Sequence, residues 1–235
     1  MNILMIDTSG PACGVAIMAD GRLVYEAELT HRQTHSQRVM PMVDTALQMS
    51  DMTAADMDVF GAVVGPGSFT GVRIGVSTVK ALAHAANKPC VAVDALEALA
   101  ANVTAFDGVV CPILDARRGQ VYCAAFDVSS GYPVRTMEDD AIALSELLNR
   151  LPEDRQILFA GDGVEKYAET IQAQMCARAM IAPENLRDLK PEAVCALAAR
   201  KKDEWIPACE LRPVYLRKPQ AERERNARLA REAEK

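Results

Sequence analysis

At 235 residues the chain can hold one large domain or two small lobes, with enough core to fold unaided. Half of it is hydrophobic and a quarter charged, an ordinary globular composition, and no apolar run approaches the roughly 18 residues that a membrane helix needs. The net charge of −6 argues against a chain whose main affinity is for a phosphate backbone.

The opening NILMID, CGVAIMAD and RLVYEAEL read as three strands, the last two joined by Asp20-Gly21, a strong hairpin signal. A helix is predicted over about 34–50, where Val39, Val43, Ala46 and Leu47 share helical spacing. Pro41 lacks a backbone donor, so that helix is either young or bent there. DVFGAVVG is a near-continuous apolar strand of the kind buried on both faces. It enters a tight GPGSFTG turn and then a second helix, after which PCVAVD returns as a strand and DALEALAANV closes the half as a helix. Strand, helix and strand with short links imply parallel pairing.

The second half repeats the first. MIDTSGPACGVAIM and ILDARRGQVYCAAF share one order: apolar strand, Asp, polar turn with Gly, apolar strand. A third strand, the helix SELLNRLP, the strand QILFAG and a helix over about 164–177 follow, and PEAVCALAARKKDEW reads as a further helix. The order βββαβα in both halves points to an internal duplication. Two such lobes define the α/β fold of actin, the sugar kinases and the Hsp70 ATPase domain. The expected division is an N-terminal lobe over 1–105, a smaller lobe over 106–218, and a charged helix or tail over 219–235 whose AERERNARLAREAEK is nearly neutral.

The glycine turn raises the question of a nucleotide site. Gly65, Gly67 and Gly71 make GxGxxxG, which is neither the Rossmann GxGxxG nor the P-loop GxxxxGK[ST]. Gly65, Gly67 and Ser68 are placed to offer backbone donors to an anion at the helix N-terminus. The alternative is a tight turn in which Ser68 caps the helix. Asp7, at the end of the first strand, and Asp115, with Arg117 and Arg118 beside it, are placed to hold a hydrated magnesium, or else each accepts backbone donors in its own turn. FAGDG at 159–163 resembles the glycine pair that passes under adenosine in this fold. His31 and His35 have HxxxH spacing but no acidic residue nearby to complete a metal site, and His84 belongs to a polar stripe.

That stripe runs down the second helix through Arg73, Ser77, Lys80, His84 and Asn87, at spacings of 4, 3, 4 and 3. Thr78 aside, the rest of the helix is apolar or glycine, more apolar surface than one sheet face requires. Met40, Met42, Met49 and Met52 on and beyond the preceding helix add flexible apolar side chains, so an interface is expected here. The seven cysteines are scattered singly, without CxxC, mostly in apolar runs, and read as buried free thiols of a reducing cytoplasm. The start MNILMIDTSG lacks the basic region and cleavage site of an export signal, which also favours the cytoplasm.

IDTS, THSQ followed by PMVD, GPGSFTGVRIG, AVDALEALA, LDARRGQVY and PVYLR occur in this order, and together they resemble the TsaB (YeaZ) family over essentially the full chain. The resemblance implies a dimerisation subunit of the bacterial tRNA threonylcarbamoyladenosine complex. Its catalytic paralogue, TsaD, transfers a threonylcarbamoyl group to the adenosine beside the tRNA anticodon and holds a metal through HxxxH. Ala95 and Leu99 stand here where those two histidines should fall, so no transferase chemistry, and no catalytic residue, is expected in this chain. The implied partners are TsaD in a heterodimer, a second copy when TsaD is absent, TsaE as a further member, and tRNA only through the complex; no membrane is implied. The expected interface comprises Val39, Met42, Val43, Leu47, Phe69, Val72, Arg73, Val76, Val79, Lys80 and Ala83. Asp7, Gly65, Gly67, Ser68 and Asp115 would form at most a vestigial nucleotide or metal site. No tightly bound cofactor is expected, with ATP or ADP and magnesium at or near the partner interface.

Two other functions compete. An ATP-binding or ATPase protein of the same fold requires Asp7 and Asp115 to face one metal–nucleotide. A peptidase would need HExxH, GxSxG or a histidine placed beside a nucleophile, and the sequence offers none.

Overall fold

The computed structural model describes residues 1–30 and 34–217. His31 and the charged tail expected over 219–235 therefore lie outside the described residues. Asp20 and Gly21 adopt left-handed conformations, φ 48° and 76°, and turn strand β2 (Ala12–Ala19) into β3 (Arg22–Thr30). Both pair antiparallel beside β1 (Asn2–Asp7), as the hairpin signal requires.

Helix α1 (His35–Met49) passes through Pro41 without a break, and Thr45 Oγ1 donates to the Pro41 carbonyl at 2.9 Å. β4 (Val59–Gly65) is buried at all seven positions and lies parallel to β1, which explains its unbroken apolar run. α2 (Phe69–Ala86) starts at a Ser68 cap, whose hydroxyl accepts from the Gly71 N–H at 3.2 Å, and ends at Asn87 in the left-handed region. β5 (Cys90–Asp94) leads into α3 (Ala95–Ala101), which Asp94 caps by accepting from the Glu97 N–H at 2.7 Å.

The same order then repeats as β6 (Val109–Asp115), β7 (Gln120–Asp127), β8 (Val134–Ala143), α4 (Leu144–Arg150), β9 (Ile157–Ala160), α5 (Gly163–Met175), β10 (Ala179–Ile181) and α6 (Pro191–Arg200). The first sheet runs β3-β2-β1-β4-β5 and the second β8-β7-β6-β9-β10, one topology twice. β10 is the strand that the pattern misses, because three residues on a sheet edge carry too little periodicity to read. α6 also stops at Arg200, short of the helix expected through Trp205.

The two lobes interlock through their last helices. α3 sets Leu96 and Ala100 against Val110, Ala124 and Phe126 of the second sheet. α6 sets Val194, Leu197 and Ala198 against Ile3, Met5 and Ala16 of the first sheet. A boundary at residue 105 thus separates the sheets, but α6, expected in the second lobe, packs on the first. α1 and α2 cover the other face of the first sheet, around Leu4, Ile6, Phe60 and Ala62.

Candidate docking helices and interlobe cleft

The GPGSFTG turn is held from below by the IDTS turn. Ser68 N–H donates to the Ser9 carbonyl at 2.7 Å, and Thr8 Oγ1 donates to the Gly71 carbonyl at 2.7 Å. A side chain at Gly67 would meet the Ser9 carbonyl at 2.5 Å, and one at Gly71 would strike the Thr8 carbonyl. Gly65, at φ 118°, is pressed by the Val214 carbonyl. These glycines serve close packing of three segments. The Ser68 amide is thus engaged within the chain and its hydroxyl caps α2, while Gly67, Phe69 and Thr70 still border the interlobe cleft.

Asp7 and Asp115 end equivalent strands and behave alike. Asp7 Oδ1 accepts from the Ser9 N–H at 2.8 Å, and Asp115 Oδ1 accepts from the Arg117 N–H at 2.9 Å, each two residues on. Asp7 is 7% exposed, and burial raises its pKa above the usual carboxylate range. Asp115 is paired with Lys166 at 3.3 Å. Asp115 lines a cleft of about 590 Å³ between the lobes, and Asp7 lines an adjoining space of about 30 Å³ with Asp162 and Asp188; Ser9–Pro11, Leu114 and Asp162 border both. Among the described residues no group of three or more His, Cys, Asp and Glu side chains is placed to hold a metal ion.

One wall of the large cleft is Ser9–Pro11 with the glycine turn; the other is Leu114–Arg117 with Tyr122 and Asp162. Sequence reading passed over Asp162, although it accepts from the Asp115 N–H at 2.9 Å and burial raises its pKa. Gly161, at φ 99°, packs against the Ile113 carbonyl, so the FAGDG glycines seat α5 on β6. His35 Nε2 lies 3.0 Å from the Gly10 carbonyl, and His84 is exposed in the last turn of α2.

The structure separates the expected interface residues into three groups. Val39, Val43, Val72, Val76, Val79 and Ala83 are at most 2% exposed and form the core beneath the first sheet. They cannot reach a partner without unfolding the lobe. That part of the expected interface is corrected: helical spacing located apolar residues without telling which of them the sheet would cover. Arg73 and Lys80 are engaged within the chain, by a terminal segment. Arg73 Nε donates to Tyr215 OH at 2.8 Å with its guanidinium 3.9 Å from the centre of the Phe69 ring, and Lys80 Nζ donates to the carbonyls of Cys209 and Leu211 at 3.1 Å each. Phe69 in turn stacks on Tyr215, ring centres 4.6 Å apart.

Met42, Leu47 and Phe69 remain half-buried. α2 also carries a stripe outside the expected interface, Ile74, Thr78, Ala81 and Ala85, at spacings of 4, 3 and 4, half-buried or exposed. On α1, Met40 is 46% and Met49 71% exposed. The spare apolar surface is therefore real but lies away from the core-facing valines. The signal that finds it is an uncharged row at i, i+4, i+7 and i+11 next to the polar stripe, Ile74, Ala81 and Ala85 with Thr78, whose hydroxyl donates back to the Ile74 carbonyl at 2.8 Å. Ala95 and Leu99 are 0% and 1% exposed and pack in the core, offering no ligand to a metal.

A family model described as TsaD, tRNA N6-adenosine threonylcarbamoyltransferase, matches residues 28–225. The tRNA threonylcarbamoyladenosine biosynthesis protein TsaB of Bacillus subtilis is 36% identical over 223 residues, covering 94% of this chain and 96% of that protein. A solved Pseudomonas aeruginosa structure, described as an uncharacterized protein with similarity to peptidase YeaZ, superposes with a TM-score of 0.81 at 28% identity, covering 92% and 99% of the two chains. Component A of the Acidaminococcus fermentans (R)-2-hydroxyglutaryl-CoA dehydratase, at TM-score 0.50 and 12% identity, shares the fold alone. The two like sheets with interlocked last helices are the actin-like ATPase fold, and the chain belongs to the TsaB (YeaZ) family.

Proposed function

We propose that this chain is the non-catalytic dimerisation subunit that docks and activates TsaD for threonylcarbamoyl transfer to the tRNA adenosine beside the anticodon. The observation that carries the reading is the α1–α2 face. Ile74, Thr78, Ala81 and Ala85 with Met40 and Met49 leave apolar and small side chains at the surface after the core has been filled. Small residues let a second helix approach closely, and exposed methionines adapt to the partner's shape. A contact of standard size buries about 1,600 Å² in total, which a pair of helices can supply.

The chemistry belongs to the partner. Apolar Ala95 and Leu99 at the expected ligand positions support this, as do the engaged Ser68 amide and the Asp7 and Asp115 carboxylates turned to their own backbones. On this reading ATP or ADP with magnesium binds at or near the contact with the partner. The same face would join two copies when TsaD is absent. TsaE and tRNA engage the complex as a whole, in the cytoplasm.

The test is transfer activity reconstituted from TsaD, the remaining complex members and a tRNA transcript. This chain should raise product formation by TsaD and form none without it. Ala85→Arg, on the exposed stripe, should remove the stimulation while leaving the chain folded. Product formed by this chain without TsaD, or full stimulation by Ala85→Arg, contradicts the reading.

A further inference from the structure

The segment from Ile206 to Arg217 runs along α2 and ends on the other lobe. At its start Ile206 exchanges two backbone hydrogen bonds of 2.8 Å with Cys90. Leu211 is fully buried in the first core, and the Lys80 ammonium donates to its carbonyl and to that of Cys209. Farther along, Val214 N–H donates to the Val64 carbonyl at 2.8 Å, and the Val214 carbonyl presses on Gly65, where a side chain would meet it at 2.6 Å. Tyr215 is then clasped by Phe69 and Arg73. Finally Arg217 Nη1 crosses the cleft and donates to the Ala116 carbonyl at 2.6 Å.

The receiving turn is a strained one. Arg117, Arg118 and Gly119 are consecutive left-handed residues, at φ 61°, 56° and 77°. Conformations of this kind persist only where their surroundings hold them. The turn's holders include the Asp115 carboxylate on the Arg117 N–H, the Gln120 N–H to Arg117 carbonyl bond at 3.2 Å, the Ala116 N–H to Gln120 carbonyl bond at 3.1 Å, and Arg217 from across the cleft. Val214 and Tyr215 are 45% and 39% exposed, so the end of the segment rests on a few polar bonds and one ring stack, and little core. Elements of that kind open locally at low free energy while the sheets stay closed.

We propose that Ile206–Arg217 is a strap that transmits the position of α2 to the β6–β7 turn and so sets the width of the interlobe cleft. Its grips on α2 are Lys80 and Arg73, its grip on the second lobe is Arg217, and the chain between them is short. A load on the outer face of α2 is thereby felt at Ala116, although neither Lys80 nor Arg73 contacts that turn. Only the source of the load, a docked partner, rests on the reading under Proposed function; the coupling is a property of the chain alone.

Hydrogen exchange of the full chain, read at the Ala116 and Gln120 amides relative to the buried β4 amides, tests the strap. Arg217→Ala should speed exchange of the turn by roughly threefold or more, the worth of one lost hydrogen bond, and Arg217→Lys should restore much of the protection. Lys80→Met with Tyr215→Phe, which alters only the grips on α2, should speed the same two amides by a similar factor. Adding Arg217→Ala to that pair should change little further, since one chain of contacts is broken once. The strap is overturned if the α2-side pair leaves the turn's exchange unchanged, if Arg217→Ala does, or if the effects multiply as independent sites would. Because activity is not the readout, failure here is distinguishable from failure of the docking role.

Discussion

The Asp94 carboxylate, which caps α3 in the first lobe, lies 3.3 Å from the guanidinium of Arg135 on β8 in the second. Arg135 also pairs with Asp139 and stacks over Phe126, 4.6 Å from the ring centre. Two carboxylates thus share one cation at the seam between the lobes. Burial first, and then the Asp139 charge, push the Asp94 pKa up from the ordinary 3.8 to about 7.

The folded chain therefore holds a proton on Asp94 at pH values where the unfolded chain has released it. That contribution to stability is complete below about pH 4 and is lost as pH rises through about 7. Asp94→Asn, which can still cap Glu97, should weaken this loss. Between pH 5 and 8 urea unfolding should show the parent losing about 2–3 kcal/mol more than the variant. Equal losses would remove Asp94 from the pH dependence.

Core and docking face should separate cleanly by mutation. Val76→Ala, at 2% exposure, removes packed methyl groups and should cost about 2 kcal/mol by denaturant unfolding. Ala81→Arg, on the exposed stripe, should change stability by less than about 0.5 kcal/mol and yet abolish partner binding. A large stability loss for Ala81→Arg would put that stripe inside the fold.

The glycine turn is read as a packing device, and that too can be measured. Gly67→Ala must displace the Ser9 carbonyl, and Gly71→Ala that of Thr8. Each should cost about 1–3 kcal/mol, as overpacking does, seen as a lowered thermal midpoint. A neutral Gly71→Ala accompanied by lost nucleotide binding would restore the phosphate-loop reading.

Thiol accessibility should divide the seven cysteines sharply. Cys176 and Cys209 are exposed; Cys13, Cys90, Cys111, Cys123 and Cys195 are buried. Burial raises the thiols of Cys13 and Cys90 to about 11 and that of Cys123 to about 12, leaving them unreactive near neutrality. A thiol reagent should label two positions in the native chain and seven after denaturation, counted by intact mass.

Local chemistry made most of the fold legible. The Asp20-Gly21 hairpin, the fully buried β4 and the paired Asp turns at 7 and 115 each follow from a few neighbouring residues. What was illegible depends on residues far apart in the chain. The stripe of Arg73 and Lys80 announced a polar side of α2, but nothing local said that Tyr215 and Leu211, over 130 residues on, would cover it. Likewise the valines of α2 and the alanines beside them are equally apolar in sequence, and only the sheet decides which of them it hides.

The most direct measurement is the absolute mass, by light scattering, of the chain alone, mixed with TsaD, and carrying Ala81→Arg. The account predicts a dimer alone, a heterodimer once TsaD is added, and for Ala81→Arg a folded monomer that joins neither. A strict monomer indifferent to TsaD, or an Ala81→Arg chain that associates as the parent does, would contradict it.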